Sequence, residues 1–137
     1  MRVITIAVVV SLLAGCRDST SPTTVQGNYR LNSIGGQALP VVMYSAANYS
    51  YEITGGTITL NAHGTFGETF AYHVNDAGTI STPSTACSGS WVQSGNNLAI
   101  QETSAGPCGA GITATWDGGS ALNIVSPRFA SPALYQR

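Results

Sequence analysis

The chain has 137 residues, and only 8% of them are charged, five Lys or Arg against six Asp or Glu. With no basic stripe to neutralise a phosphate backbone, nucleic acid is excluded as a partner. Setting aside the first 15 residues leaves 122, enough for one domain with its own core, carrying four Arg, no Lys and six acids.

The chain begins MRVITIAVVVSLLAGC. One positive charge, Arg2, precedes an apolar run from Val3 to Ala14 that is too short to span a bilayer and has the layout of a signal peptide. The run ends in Leu13-Ala14-Gly15-Cys16, which resembles the lipobox of bacterial lipoproteins. The resemblance implies a signal peptide over 1–15 and a diacylglycerol on the Cys16 thiol. It also implies a mature protein held on the bacterial cell envelope without a transmembrane helix. Each buried methylene of such an anchor adds roughly 0.8 kcal/mol. Arg17 follows in place of the Asp that often retains lipoproteins on the inner membrane. The outer membrane, facing the periplasm, is therefore the expected location. Residues 17–24, RDSTSPTT, are polar and unpatterned and form the expected tether, leaving a domain over 25–137.

From Val25 onward no long helical periodicity appears, only short alternating runs separated by turn residues, which predicts an all-β domain. The first strand is expected over Val25–Ile34, ended by Gly35-Gly36. A Tyr-rich strand over Asn48–Thr54 aligns Tyr49, Tyr51 and Ile53, and Gly55-Gly56 is expected to turn into Thr57–Ala62 with Ile58 and Leu60 on one side. His63-Gly64 turns into Thr65–Asn75. A polar loop with Pro83 leads to Thr85–Gln93, and Ser94-Gly95-Asn96 returns the chain into Asn97–Thr103. Asp117-Gly118-Gly119 is a hairpin turn between Thr113–Trp116 and Ala121–Val125. A final strand lies between Phe129 and Tyr135. Val41–Ala47 fits either a strand or a short helix.

About eight or nine short strands joined by tight turns place sequence neighbours side by side, and closure into a small antiparallel up-and-down barrel protects the sheet edges. A β-sandwich is the alternative. An immunoglobulin arrangement is disfavoured, because Cys87 and Cys108 are too close in sequence to bridge two sheets around a buried Trp.

Four fragments carry a family resemblance. They are Gly27-Asn28-Tyr29 with the GGQALP connection at 35–40, Gly56-Thr57-Ile58-Thr59-Leu60 with Gly64-Thr65-Phe66, Gly89-Ser90-Trp91 with Asn97-Leu98-Ala99-Ile100, and Gly119 before Leu122-Asn123-Ile124. Together the chain is similar to the short lipocalin-like (calycin-type) bacterial lipoproteins. The resemblance implies an aromatic residue after the first Gly with a late Arg packed over it. Tyr29 stands where the family has Trp, and the Arg is Arg128 or Arg137.

Few residues offer chemistry. Cys87 and Cys108 form an even pair in an oxidising compartment, which predicts a disulfide. His63 and His73 have no third ligand by spacing, so no metal site is expected. Neither Ser88-Gly89-Ser90 nor Gly118-Gly119-Ser120 forms a nucleophile elbow, and the carboxylates are scattered, so an enzyme is not expected. Glu68 is the oddity, because by alternation it shares a face with Phe66, Phe70, Tyr72 and Val74. Two readings stay open: a bulge at Gly67 that returns Glu68 to water, or a carboxylate inside an apolar cup where Leu would suit the face as well or better. Tyr44, Tyr49, Tyr51 and Tyr72 are first of all ordinary aromatic pairs of a sheet.

These readings converge on a monomeric, non-catalytic lipoprotein with no cofactor. It is expected to bind a small apolar or amphipathic molecule through Glu68, Phe66, Phe70, Tyr72 and Tyr51. The alternative is a structural or protein-interaction module of the envelope. A cavity of roughly 300 Å³ with one convergent polar group favours the first, and a filled interior favours the second.

Overall fold

The computed structural model describes residues 24–103 and 111–137. Eleven strands appear among them: β1 (Gly27–Ile34), β2 (Gln37–Ala38), β3 (Val41–Ala46), β4 (Tyr49–Leu60), β5 (Thr65–Asp76), β6 (Thr79–Ser81), β7 (Ser84–Ser94), β8 (Asn97–Glu102), β9 (Ile112–Trp116), β10 (Ala121–Val125) and β11 (Ala133–Gln136). Eight of them close into an antiparallel barrel in the order β1-β11-β10-β9-β8-β7-β5-β4, and β1 pairs β4 to complete the ring. β2, β3 and β6 pair outside it with β1, β4 and β5. The expected all-β, up-and-down barrel is the observed fold.

Period-two alternation fills the interior. Leu98 and Ile100 of β8, Ile112, Ala114 and Trp116 of β9, Leu122 and Ile124 of β10, and Ala133 and Tyr135 of β11 all point inward and are buried. Threonines, serines and asparagines take many of the outward positions, as a half-buried pleated surface requires. Rings and glycines face one another across strands. Phe66 pairs with Gly89, where a Cβ would sit 2.0 Å from the Gln101 carbonyl and 2.7 Å from the Phe66 ring. Phe70 likewise lies over Gly56.

The main departure from the predicted elements is at Gly55-Gly56. β4 runs unbroken for 12 residues, and its register with β5 shifts between Ile53 and Gly55. The change of phase, from Tyr49, Tyr51 and Ile53 to Ile58 and Leu60, marks a bulge in one strand rather than a turn between two. A bulge adds one residue and reverses the alternation, so both sets face the same side. Gly67 carries no such irregularity: Thr59 pairs Gly67, Ile58 pairs Glu68, and the ladder is regular on both sides. The bulge reading of Glu68 is therefore corrected. Val41–Ala46 is a strand, and the polar loop before Pro83 contains the short strand β6. The last strand starts four residues later than Phe129, because Ser126 to Pro132 is a turn-rich connection.

Beyond the barrel proper, β4 and β5 extend as a long hairpin flanked by β3 and β6, forming a flap. Its inner face continues the barrel interior upward. The end of the barrel below this flap, where the β10–β11 connection crosses, is its mouth. The opposite end, where Gly27 pairs Leu60, is its base.

Candidate functional site

Glu68 lies inside the barrel at the mouth and is 3% exposed. Two elements hold it, and a third lies beside it. The Tyr135 hydroxyl of β11 donates to its Oε1 at 2.7 Å. Arg128 Nη1, from the β10–β11 connection, is 3.4 Å from its Oε2. The Cys87 sulfur of β7, directly across the ladder, is 3.8 Å from the same oxygen. Burial raises the Glu68 carboxyl above the ordinary carboxylate range, and the Tyr135 hydrogen bond and the Arg128 charge only partly offset it. Burial and the neighbouring carboxylate also push the Tyr135 hydroxyl upward.

The connection after β10 is built to deliver Arg128. Ser126 is buried, its Oγ accepts the Arg128 N–H at 3.3 Å, and its carbonyl accepts the Phe129 N–H at 3.0 Å. This tight turn directs two side chains into the mouth. The Arg128 guanidinium carbon sits 4.3 Å from the Phe70 ring centre, and Phe129 meets Phe70 edge-on at 5.7 Å. A guanidinium over an aromatic face, with a carboxylate beside it, offsets the cost of burying both charges.

From Phe70 the aromatic contacts continue outward without a gap. Phe70 meets Tyr72 at 6.3 Å, Tyr72 meets Tyr51 at 6.4 Å, and Tyr51 meets Tyr49 and Tyr44 at 6.3 Å each. All lie on the inner face, because the β4 bulge keeps Tyr49 and Tyr51 in phase with Phe70 and Tyr72 of β5. Tyr44 and Tyr49 are 51% and 40% exposed, so the run begins in solvent and ends in the core. Of the residues proposed from sequence, Glu68, Phe66, Phe70, Tyr72 and Tyr51 all face this side. Phe66 is the exception in position: it lies two pairs nearer the base, against Gly89, and is 2% exposed.

At the base, Arg137 packs over Tyr29 with its guanidinium carbon 4.7 Å from the ring centre. Its Nη2 donates to the Tyr29 hydroxyl and to the carbonyls of Thr24 and Gln26. The Tyr29 hydroxyl donates to the Val25 carbonyl at 2.6 Å, and the residue is fully buried. Arg137, rather than Arg128, is the arginine over the first aromatic. Arg128 serves the mouth.

The remaining polar groups are simpler. His73 and Glu52 form a 2.9 Å pair on the outer face of the flap. His63 is a turn residue. Among the described residues no group of three or more His, Cys, Asp or Glu is placed to hold a metal ion. Cys16 and Cys108 lie outside the described residues. Thr103 N–H donates to the Ser88 carbonyl, so β8 returns to the level of Cys87 as the chain enters residues 104–110.

Sequence reasoning missed Arg128, Phe129 and Tyr135 as neighbours of Glu68. Arg128 and Phe129 sit in an aperiodic connection, and β11 is too short for alternation to single out Tyr135. No protein-family model matches the chain, and comparison with curated proteins finds no match.

Proposed function

We propose that the protein is a lipid-anchored, non-catalytic binding protein of lipocalin-like type that takes a small amphipathic molecule at its mouth. The observation that carries this reading is the unbroken aromatic run from half-exposed Tyr44 to Phe129, Arg128 and the buried Glu68. Such a run offers a ligand an apolar wall with hydroxyls along it and one charged pair at its foot. The barrel interior itself is filled by Tyr29, Tyr135, Leu122, Ile58 and their neighbours, so the ligand sits on the flap rather than in a cup. Arg137 over Tyr29 supports the lipocalin-like reading, with Tyr in the place of Trp. The lipid anchor on Cys16, a location on the outer membrane facing the periplasm, and the monomeric state belong to the same proposal.

Nuclear magnetic resonance tests it. A panel of amphipathic small molecules titrated into isotope-labelled protein should shift signals of Tyr44, Tyr51 and Tyr72 and spare those of Leu122 and Ile124. A panel that leaves the tyrosines unmoved overturns the reading.

A protein-interaction module is the second reading, and it is favoured by the filled interior and by an exposed row on the outer surface. Val92, Ala99, Thr113 and Val125 align across β7, β8, β9 and β10 on the outer surface, with Val92 and Val125 more than half exposed. Shifts confined to this row on adding envelope extract would favour it.

A further inference from the structure

We infer that the tyrosine wall is a saccharide site that takes a neutral glycan along the inner face of the flap. This rests on the binding reading above and names the ligand class for that same surface. The large side chains of the wall are Tyr44, Tyr49, Tyr51 and Tyr72, with half-buried Val74 the aliphatic among them. Val42 and Ile80, the exposed aliphatics of the flap, pair with Glu52 and Asn75 and so face the other way. An acyl chain is served by Leu, Ile, Phe or Met. Rings that each carry a hydroxyl suit a molecule with the same division, and a pyranose has apolar C–H faces and a rim of hydroxyls.

The charge of the surface agrees. Among the described residues, the inner face of the flap carries one ionisable carboxylate, Asp76, opposite Tyr49 at its far end. Glu52 and His73 pair with each other on the opposite face. Above the Arg128–Glu68 pair at its foot, the wall carries no cationic side chain among the described residues, so a neutral ligand is the complementary one.

At the tip, a groove of about 290 Å³ runs past Tyr49 to the outer face, where Ser50 and Asn75 pair across the strands. The Asn75 side-chain oxygen accepts the Gly78 N–H, and the Asn48 carbonyl accepts the Ala77 N–H, which ties the two turns of the flap together. The tie fixes the frame that carries Tyr49.

Position adds a further argument. Gly27 pairs Leu60 at one end of β4, and Tyr49 is at the other end of that 12-residue strand. At about 3.3 Å per residue the wall stands roughly 36 Å from the end where the proposed tether leaves. A protein anchored at its base presents this wall away from the lipid, toward envelope polymer.

The experiment uses the full chain in lipid nanodiscs, titrated calorimetrically with chitotetraose, cellotetraose and, separately, a dansylated fatty acid. Binding of at least one tetrasaccharide is expected, weakened roughly fivefold or more by Tyr51→Ala and by Tyr44→Ala. Tyr44 lies on an outer strand and is half exposed, so its variant keeps the barrel intact and tests the wall if Tyr51→Ala fails to fold. Fatty-acid binding that depends on these tyrosines, with no saccharide binding, overturns the saccharide inference and leaves the binding reading standing. Saccharide binding unchanged in both variants overturns the wall as its site. No binding of any probe overturns both readings.

Discussion

Replacing Glu68 by Leu tests the mouth most directly. Alternation alone suggests that Leu should suit this face, but the observed partners reverse the expected sign. Glu68 is 3% exposed, its Arg128 partner has a side chain only 14% exposed, and their closest atoms are 3.4 Å apart. Removing one member of such a pair leaves the other charge buried, which costs about 3–5 kcal/mol. Arg128 keeps its place over Phe70 at 4.3 Å, which recovers part of that loss. The buried Tyr135 hydroxyl loses its acceptor at a further cost of about 1 kcal/mol. The expected loss for Glu68→Leu is therefore about 3 kcal/mol. The double variant Glu68→Leu with Arg128→Met removes both charges and fills the space, so it should recover to within about 1 kcal/mol of the parent. Urea melts of the three proteins at one pH above the raised folded pKa of Glu68, with equal slopes, supply the numbers. Urea is preferred because guanidinium screens the pair. A Glu68→Leu protein as stable as the parent, or a double variant as unstable as the two single changes added together, would refute the reasoning.

Burial raises the Glu68 carboxyl, so the native state holds a proton that the unfolded chain has released, and stability falls as pH rises from about 4.5 through the folded value. Relative to Glu68→Gln, the parent should thus lose stability in urea melts as pH rises above about 4.5; a relative gain would contradict the assignment. Gly89→Ala should cost about 2–3 kcal/mol or prevent folding, because its Cβ would sit 2.0 Å from the Gln101 carbonyl. Gly67→Ala, with open space around it, should change a thermal melt by about 0.5 kcal/mol or less. Thiol titration of the mature, unfolded, unreduced protein should find no free Cys87 or Cys108, and two reactive thiols would end the disulfide proposal. Metabolic labelling with a fatty acid should mark the parent and miss Cys16→Ser.

The barrel was legible because its signal is redundant. Leu98 and Ile100, Leu122 and Ile124, and the Asp117-Gly118-Gly119 turn each specify a local hairpin, and hairpins in series leave closure as the natural arrangement. Asp117 shows how firmly such a turn is written: its Oδ1 accepts the N–H groups of Gly119 and Ala121, which holds the carboxyl below the ordinary range. The β4 bulge was visible as a change of phase, but a Gly-Gly pair at the break is also what a turn uses. Local sequence does not separate the two, and the β5 partner does. The site was half legible for a similar reason. Strand alternation placed Phe70, Tyr72 and Glu68 together, whereas Arg128 reaches them from a connection 60 residues away in sequence, where no periodicity points inward.

The seam of the ring has a kinetic consequence. β11 is the last strand in chain order and lies between β10 and β1, so the barrel closes only when opposite ends of the domain meet. Asn32 and Gln136, which share a hydrogen bond across that seam, are 104 residues apart. Contacts this distant form slowly, since the loop entropy is lost before the contacts compensate it. Hairpins from β4 to β10 can assemble early, but their sheet keeps two open edges until residues 133–136 arrive. Until then the chain has no sealed core to resist unfolding and behaves as a ribbon that can still be threaded or extended. After closure, Arg137 ties the first residues of the domain to the last, so opening the ring at the β1–β11 seam breaks that tie as well as the ladder.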